Sequence, residues 1–140
     1  MTVRRLDHVN IQTHRFDESL RFYAEGLGLR PGPLPSVLRT PAGEPVRAAW
    51  LYDAGGNPIV HLIRRAGGDD TAPAPAHFDH LALACEDLEG FAARLGALGH
   101  AFERVSYPQY GIEQLVLRDP NGIKIELGFS PAIVEEPGGG

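Results

Sequence analysis

The feature that most constrains this fold is an internal repeat. Residues 6–11 read "LDHVNI", and residues 78–85 read "FDHLALAC". Each copy has a hydrophobic residue, an aspartate and a histidine, followed by strand-forming residues, and the two copies start 72 positions apart (78 minus 6). A repeat on this scale indicates two copies of one supersecondary unit.

The segment after each copy is also repeated. Residues 12–30 and 86–100 carry hydrophobic residues three or four positions apart and end near glycines, so each half is predicted to contain one amphipathic helix. The hydrophobic positions are Phe16, Leu20, Tyr23 and Leu27 in the first half, and Leu88, Phe91, Ala92, Leu95 and Leu98 in the second.

A strand, a Gly-containing turn and another strand follow, at 50–63 and at 115–129. Each half has room for one further strand, around 29–33 and 101–105. Both halves are therefore predicted to run strand, helix, strand, strand, strand. This order is an α+β fold made of two βαβββ modules.

A chain of 140 residues has the usual size of one domain. We expect a single domain over 1–130, with module one at 5–66, a Gly/Pro/Asp-rich linker at 67–76 and module two at 77–129. The Pro-rich segment 31–45 is a candidate pocket lid, and residues 131–140 are expected to be a flexible tail.

Charge and composition exclude several classes of partner. A net charge of −5 without a Lys/Arg run argues against nucleic-acid binding. The single cysteine, Cys85, cannot form an intrachain disulfide; it is expected to be a buried, inert thiol in a reducing compartment. The sequence has no apolar run of the ~20 residues needed to span a membrane and no secretion signal, so we expect a cytoplasmic protein without a membrane partner.

Strand alternation sorts the polar residues onto one face. In residues 6–11, Val9 and Ile11 share the helix-covered face, whereas His8 and Asn10 share the other. The same alternation places His80, His61, Lys124 and Glu126 away from the helices.

The repeat pairs these side chains. His8 occupies the position of His80, and His61, after allowance for one extra turn residue, occupies that of Glu126. One histidine alone is more often structural than a ligand, but four metal-competent side chains on equivalent faces predict a metal site. His14, His77 and His100 break the pattern and are expected to be solvated.

These motifs resemble the vicinal oxygen chelate superfamily, which includes glyoxalase I, extradiol dioxygenases and bleomycin resistance proteins. The resemblance covers residues 5–129 and rests on "DHVNI", "SLRFYAEGLGLR", "DHLALAC" and "RDPNGIKIELGF". It implies that two βαβββ modules pair into an eight-stranded cup and that a divalent metal is held by His8, His61, His80 and Glu126. It also implies a homodimer, in which the modules pair either within one chain or by exchange with the partner chain.

Departures from better-known members narrow the chemistry. Bacterial glyoxalase I has a glutamate at the position of His61. Extradiol dioxygenases have a histidine and a tyrosine where this chain has Gln114 and Arg118, although an Fe(II) triad of His8, His80 and Glu126 is still possible. Binding-only resistance proteins lack the metal ligands.

Counting charges favours lyase or isomerase chemistry. Three neutral histidines and one carboxylate leave a divalent ion with a net charge of about +1, which suits an enediolate-like anion. Nitrogen-rich ligation favours Zn, Ni, Co or Fe(II). The function predicted first is therefore a metal-dependent lyase or isomerase acting on a small oxygenated substrate; a dioxygenase and a small-molecule binding protein are the alternatives.

A catalytic base is also needed if a proton is removed. Glu126 is the catalytic candidate, with Tyr107, Tyr110 and Glu113 as further possible bases. The residues expected to line the substrate site are Asn10, Trp50, Tyr107, Tyr110, Gln114 and Lys124, with core packing as the competing role for Trp50.

Overall fold

The structure is a computed structural model that describes residues 1, 4–6, 8–33, 47–65 and 79–129. The expected linker, the expected tail, His77 and most of the proposed lid lie outside these residues. The chain divides into two compact units, Met1–Ala74 and Pro75–Gly140.

The first unit has one helix and a four-stranded sheet. Its elements are β1 (Val9–Thr13), α1 (Phe16–Arg21), which continues into a π-helical turn (Phe22–Gly26), β2 (Arg30–Gly32), β3 (Ala48–Tyr52) and β4 (Pro58–Arg64). The strand order is β1-β4-β3-β2. β1 pairs parallel with β4, and the other neighbours are antiparallel.

The second unit repeats this plan. Its elements are β5 (His80–Ala84), α2 (Leu88–Ala97), β6 (Phe102–Tyr107), a 3₁₀ turn (Pro108–Tyr110), β7 (Ile112–Arg118) and β8 (Lys124–Phe129). The strand order is β5-β8-β7-β6, again with the first and last strands parallel. The predicted α+β fold of two βαβββ modules is confirmed. Neither α1 nor α2, the helices in the described part of the chain, is long and apolar enough to cross a membrane.

The first helix differs from the single regular helix that the sequence predicts. The N–H of Leu27 donates to the carbonyl of Phe22 at 3.0 Å, five residues back, as in a π-helix. This wider turn lets the consecutive residues Phe22 and Tyr23 both enter the core, at 1% and 0% exposure. A regular 3.6-residue period cannot predict that pair.

The two hairpin turns have the same construction. Asp53 accepts a hydrogen bond from the backbone N–H of Asn57 at 2.9 Å, and Asp119 accepts one from Ile123 at 2.8 Å. Gly56 and Gly122 have φ of 80° and 82°, values that favour glycine. The turns are therefore of equal length, and the expected extra turn residue before His61 is not in the turn.

That extra residue is in strand β4 instead. Tyr52 pairs with Pro58 but Leu51 pairs with Val60, so Ile59 is skipped and forms a bulge. The bulge lets His61 pair with Trp50. Without it, a one-residue shift would move His61 to the opposite face of the sheet.

Burial confirms the predicted faces of the strands. The core contains Ile11, Val60 and Leu62 in the first unit and Leu81, Ile125 and Leu127 in the second, all at most 8% exposed. α1 packs against β4 and α2 against β7. The opposite faces of these two sheets carry the predicted polar residues.

Two sequence expectations need refinement. Cys85 is half-buried, and desolvation raises its thiol pKa to about 11, in keeping with an inert thiol. The expectation that His14 is solvated is wrong for its Nε2, which is buried without a hydrogen-bond partner. The cause is its position directly after Thr13, the buried end of β1.

Candidate functional site

In the first half, His8 and His61 both contact Trp50. The rings of Trp50 and His61 are stacked, with centroids 4.1 Å apart and planes inclined by only 6°. His8, one residue before β1, meets Trp50 edge-on at 5.0 Å. Because Trp50 and His61 are register partners on β3 and β4, the sheet itself fixes this stack.

The ring of His61 holds a buried nitrogen without a partner. Its Nε2 is shielded from solvent and has no hydrogen-bond partner among the described residues. Desolvation, followed by the nearby His8, lowers the pKa of His61 and favours the neutral imidazole. A neutral ring with an unsatisfied nitrogen has the form that a metal requires of a histidine ligand.

In the second half, His80 lies between two carboxylates. Its Nδ1 is 2.8 Å from Oδ2 of Asp79, and its Nε2 is 3.3 Å from Oε2 of Glu126. A histidine that donates Nδ1–H to a carboxylate leaves its Nε2 lone pair for a metal, which is the usual outer-shell arrangement of a histidine ligand. Two ligand atoms about 2.1 Å from one ion are separated by about 3–3.4 Å, so this spacing fits a shared ion.

Two further side chains contact Glu126. Gln114 donates from Nε2 to Oε2 of Glu126 at 3.5 Å, and Nζ of Lys124 is 3.9 Å from Oε1. Lys124 is also 3.5 Å from Asp79. The hydrogen bond to His80, followed by the charge of Lys124, holds the pKa of Asp79 below its usual value, so Asp79 is ionised at neutral pH.

The strand register continues this polar face across the second sheet. Lys124 pairs with Arg118, and Glu126 pairs with Val116, which in turn pairs with Glu103. A groove of about 540 Å³ lies at this sheet. The residues that line it, called the groove residues, are Gly99, His100, Ala101, Phe102, Glu103, Val116, Leu117, Arg118 and Lys124. Two of the groove residues adjoin the candidate ligand Glu126: Val116 is its register partner, and Lys124 lies two positions before it on β8.

The other expected substrate-site residues are distributed over both halves. Asn10 is exposed on β1 and donates from Nδ2 to the carbonyl of His61 at 3.2 Å. Tyr107 ends β6 and is 42% exposed, and Tyr110 is in the adjoining 3₁₀ turn. The sequence analysis did not predict that Asp79 contacts His80 or that Arg118 lines a groove. The aspartate that precedes the histidine in both copies of the repeat is the sequence feature that points to Asp79.

Each half contributes a pair of candidate ligands. In neither half do three His, Cys, Asp or Glu side chains of the described residues lie in a group that holds a metal by itself. The orphaned Nε2 of His61 and the Asp79-oriented ring of His80 fit metal ligation.

Comparison with known proteins gives the same family that the motifs resemble. The family model described as the Glyoxalase/Bleomycin resistance protein/Dioxygenase superfamily matches residues 5–127. Glyoxylase I 4 of Arabidopsis thaliana is 28% identical over 134 residues, which cover 87% of this chain and 68% of that protein.

Solved structures share the fold at lower identity. A glyoxylase/bleomycin resistance protein/dioxygenase domain from Frankia sp. EAN1pec has a TM-score of 0.70 and 23% identity, covering 94% of this chain and 95% of that one. Lactoylglutathione lyase from Agrobacterium tumefaciens has a TM-score of 0.62 and 19% identity, covering 92% and 96%. At these identities the likeness establishes the fold alone.

Proposed function

We propose that this chain, which belongs to the Glyoxalase/Bleomycin resistance protein/Dioxygenase superfamily, is a divalent-metal-dependent enzyme of the glyoxalase-like lyase or isomerase type. Its substrate is a small oxygenated molecule that chelates the ion through two neighbouring oxygens. One observation carries the proposal: His80 has Nδ1 on Asp79 and directs Nε2 at Glu126, 3.3 Å away.

The proposed ligands are His8 and His61 from module one and His80 and Glu126 from module two, within one domain over residues 1–130 that acts as a homodimer. The donor set favours Zn, Ni, Co or Fe(II) over Mg or Ca. When bound, the ion supplies Lewis-acid stabilisation of the anion that develops on the substrate oxygens. The ligand set leaves about one net positive charge for that anion.

The chain's own groups supply the proton transfer. Oε2 of Glu126 faces His80 and Gln114, so Oε1 is the oxygen that takes the substrate proton. Nζ of Lys124 lies 3.9 Å from Oε1 and places a positive charge beside that oxygen. On the other module, the stack with Trp50 holds the orientation of His61.

The first test combines metal content with proton exchange. Protein purified without chelators is expected to hold about one divalent ion per chain by elemental analysis. Incubated in D₂O with small 2-hydroxy ketones, it should exchange the hydrogen on the carbon beside the carbonyl, as followed by proton NMR. Glu126→Gln keeps the side-chain size and should abolish exchange, whereas Glu86→Gln, which changes an exposed carboxylate of the same half outside the groove, should not.

A ring-cleaving Fe(II) dioxygenase is the alternative enzyme, since His8, His80 and Glu126 form a two-histidine, one-carboxylate set. One experiment distinguishes the lyase or isomerase from the dioxygenase. The protein is loaded with iron under anaerobic conditions and then supplied with catechol and oxygen. Catechol-dependent oxygen uptake would replace the lyase assignment. Stoichiometric binding of a small molecule with neither metal nor turnover would instead indicate a binding or resistance protein.

A further inference from the structure

We infer that the groove of the second half binds a negatively charged group of the substrate, a carboxylate or a phosphate, and that Arg118 is its principal ligand. The identification of this ligand as part of the substrate rests on the proposed function. The groove itself is formed by residues of the second half alone.

The position of the groove links it to the candidate ligand Glu126. Val116 is the register partner of Glu126, and Arg118 is the partner of Lys124, two residues before Glu126 on the same face. Adjacent strands are about 4.8 Å apart and alternate residues about 6.7 Å. An anion at Arg118 therefore lies on the order of 5–10 Å from the atoms proposed to handle the chelated oxygens. A small substrate spans that distance.

The guanidinium of Arg118 has binding capacity left. Within the described part of the chain it makes one hydrogen bond, from Nη1 to the carbonyl of Gly122 at 2.9 Å, and no ion pair. That bond ties it to the Asp119–Gly122 turn, which is itself closed by the hydrogen bond from Ile123 to Asp119. A guanidinium has five N–H donors in a planar fork that matches carboxylate and phosphate oxygens. The remaining donors are thus held at the groove before any ligand arrives.

The other charged groove residues also determine which ligands the groove favours. Among the described residues, Lys124 makes only long ion pairs, at 3.5 Å to Asp79 and 3.9 Å to Glu126, so its ammonium can share an anion with Arg118. Glu103 lies two strands from Glu126 and repels a second negative charge at the far side of the groove. The arrangement favours a substrate with one anionic group placed near Arg118 and Lys124.

Isothermal titration calorimetry tests this inference on the full chain, from which metal has been removed with EDTA and the EDTA then removed by dialysis. The probes are glutarate, its uncharged isostere glutaramide, and inorganic phosphate. Glutarate or phosphate should bind and glutaramide should not. Arg118→Met should weaken anion binding at least tenfold, and Arg118→Lys, which keeps the charge but loses the fork, should weaken it less. Arg21→Met, which removes an exposed positive charge from the other half, should have no effect.

The outcomes separate this inference from the proposed function. Anion binding that depends on Arg118, without exchange of any 2-hydroxy ketone, supports the groove and rejects the enzyme. Exchange activity together with anion affinity that is equal in wild type, Arg118→Met and Arg21→Met rejects the groove alone. Equal binding of glutaramide and glutarate also rejects it. Circular dichroism of the Arg118 variants establishes that loss of binding is not loss of folding.

Discussion

The two modules share one strand plan but treat the same sheet position differently. Trp50 pairs with His61 in the first half, and Val116 pairs with Glu126 in the second. The indole covers its neighbouring histidine, whereas the smaller valine borders a groove of about 540 Å³. The first half therefore holds the proposed ligand His61 in a ring stack, whereas the second leaves space beside the proposed ligand Glu126.

The largest expected effect tests whether both halves contribute ligands. His61→Ala and Glu126→Ala should each weaken metal affinity by more than ~100-fold, because loss of an outer-shell partner alone typically costs 10–100-fold. Chelator competition with elemental analysis measures it. Glu103→Ala is the matched control. If His61→Ala retains wild-type affinity, the first half is not part of the metal site.

A second variant places the tryptophan of the first half at the equivalent position of the second half. Val116→Trp should fill the groove and lower affinity for glutarate by about tenfold or more, which is at least ~1.4 kcal/mol. Because Val116 is only half-buried, the fold should accommodate the larger ring. Titration calorimetry measures the affinity, and metal content should be unchanged. Wild-type affinity for glutarate would mean that the groove is not the binding space.

The reciprocal change places the valine of the second half at position 50 of the first half. Trp50→Val removes the stack on His61, a contact worth about 0.5–1.5 kcal/mol, and should weaken metal affinity by a few fold. Trp50→Phe keeps a ring and should retain most of the affinity. Metal titration with a competing chelator distinguishes them. Equal affinity in all three proteins would make Trp50 a packing residue only.

The smallest effect concerns the bulge. Deleting Ile59 should leave a regular hairpin in which Leu51 still pairs with Val60 and Trp50 with His61. Metal affinity should therefore remain within about twofold, and stability within ~1 kcal/mol, the usual range for a change that leaves core contacts intact. Metal titration and urea unfolding check both values. A large loss of affinity would show that the bulge aims His61 in a way that the register alone does not.

The faces of the strands were predictable because a strand alternates with a strict period of two. Val60 and Leu62 on one side of β4, and His61 on the other, follow from the sequence alone. The location of the extra residue was not predictable, since a longer turn and a bulge at Ile59 give the same chain length between the paired strands. Only the backbone hydrogen bonds distinguish them.

The same limit applies to side chains whose roles depend on three-dimensional neighbours. Phe22 and Tyr23 enter the core together because of a π-helical turn that no regular period signals. In the sequence, Arg118 is simply a charged residue at the end of a predicted strand. Its place in the groove and its hydrogen bond to the carbonyl of Gly122 are seen only in the structure. The repeat and the strand alternation therefore predict which face carries the candidate site residues, whereas the contacts within that face are known only from the three-dimensional structure.

The parallel pairing of first and last strands has a consequence for the order of folding. Val9 pairs with Val60 and His80 with Lys124, so each module is closed by contacts between residues far apart in the chain. Hairpins form on much shorter loops and are expected to appear earlier, because loop closure grows costlier with length. Asn10 and His61, or His80 and Glu126, become neighbours only when the module is complete. A metal that binds His80 and Glu126 would therefore stabilise the finished second module rather than guide its assembly.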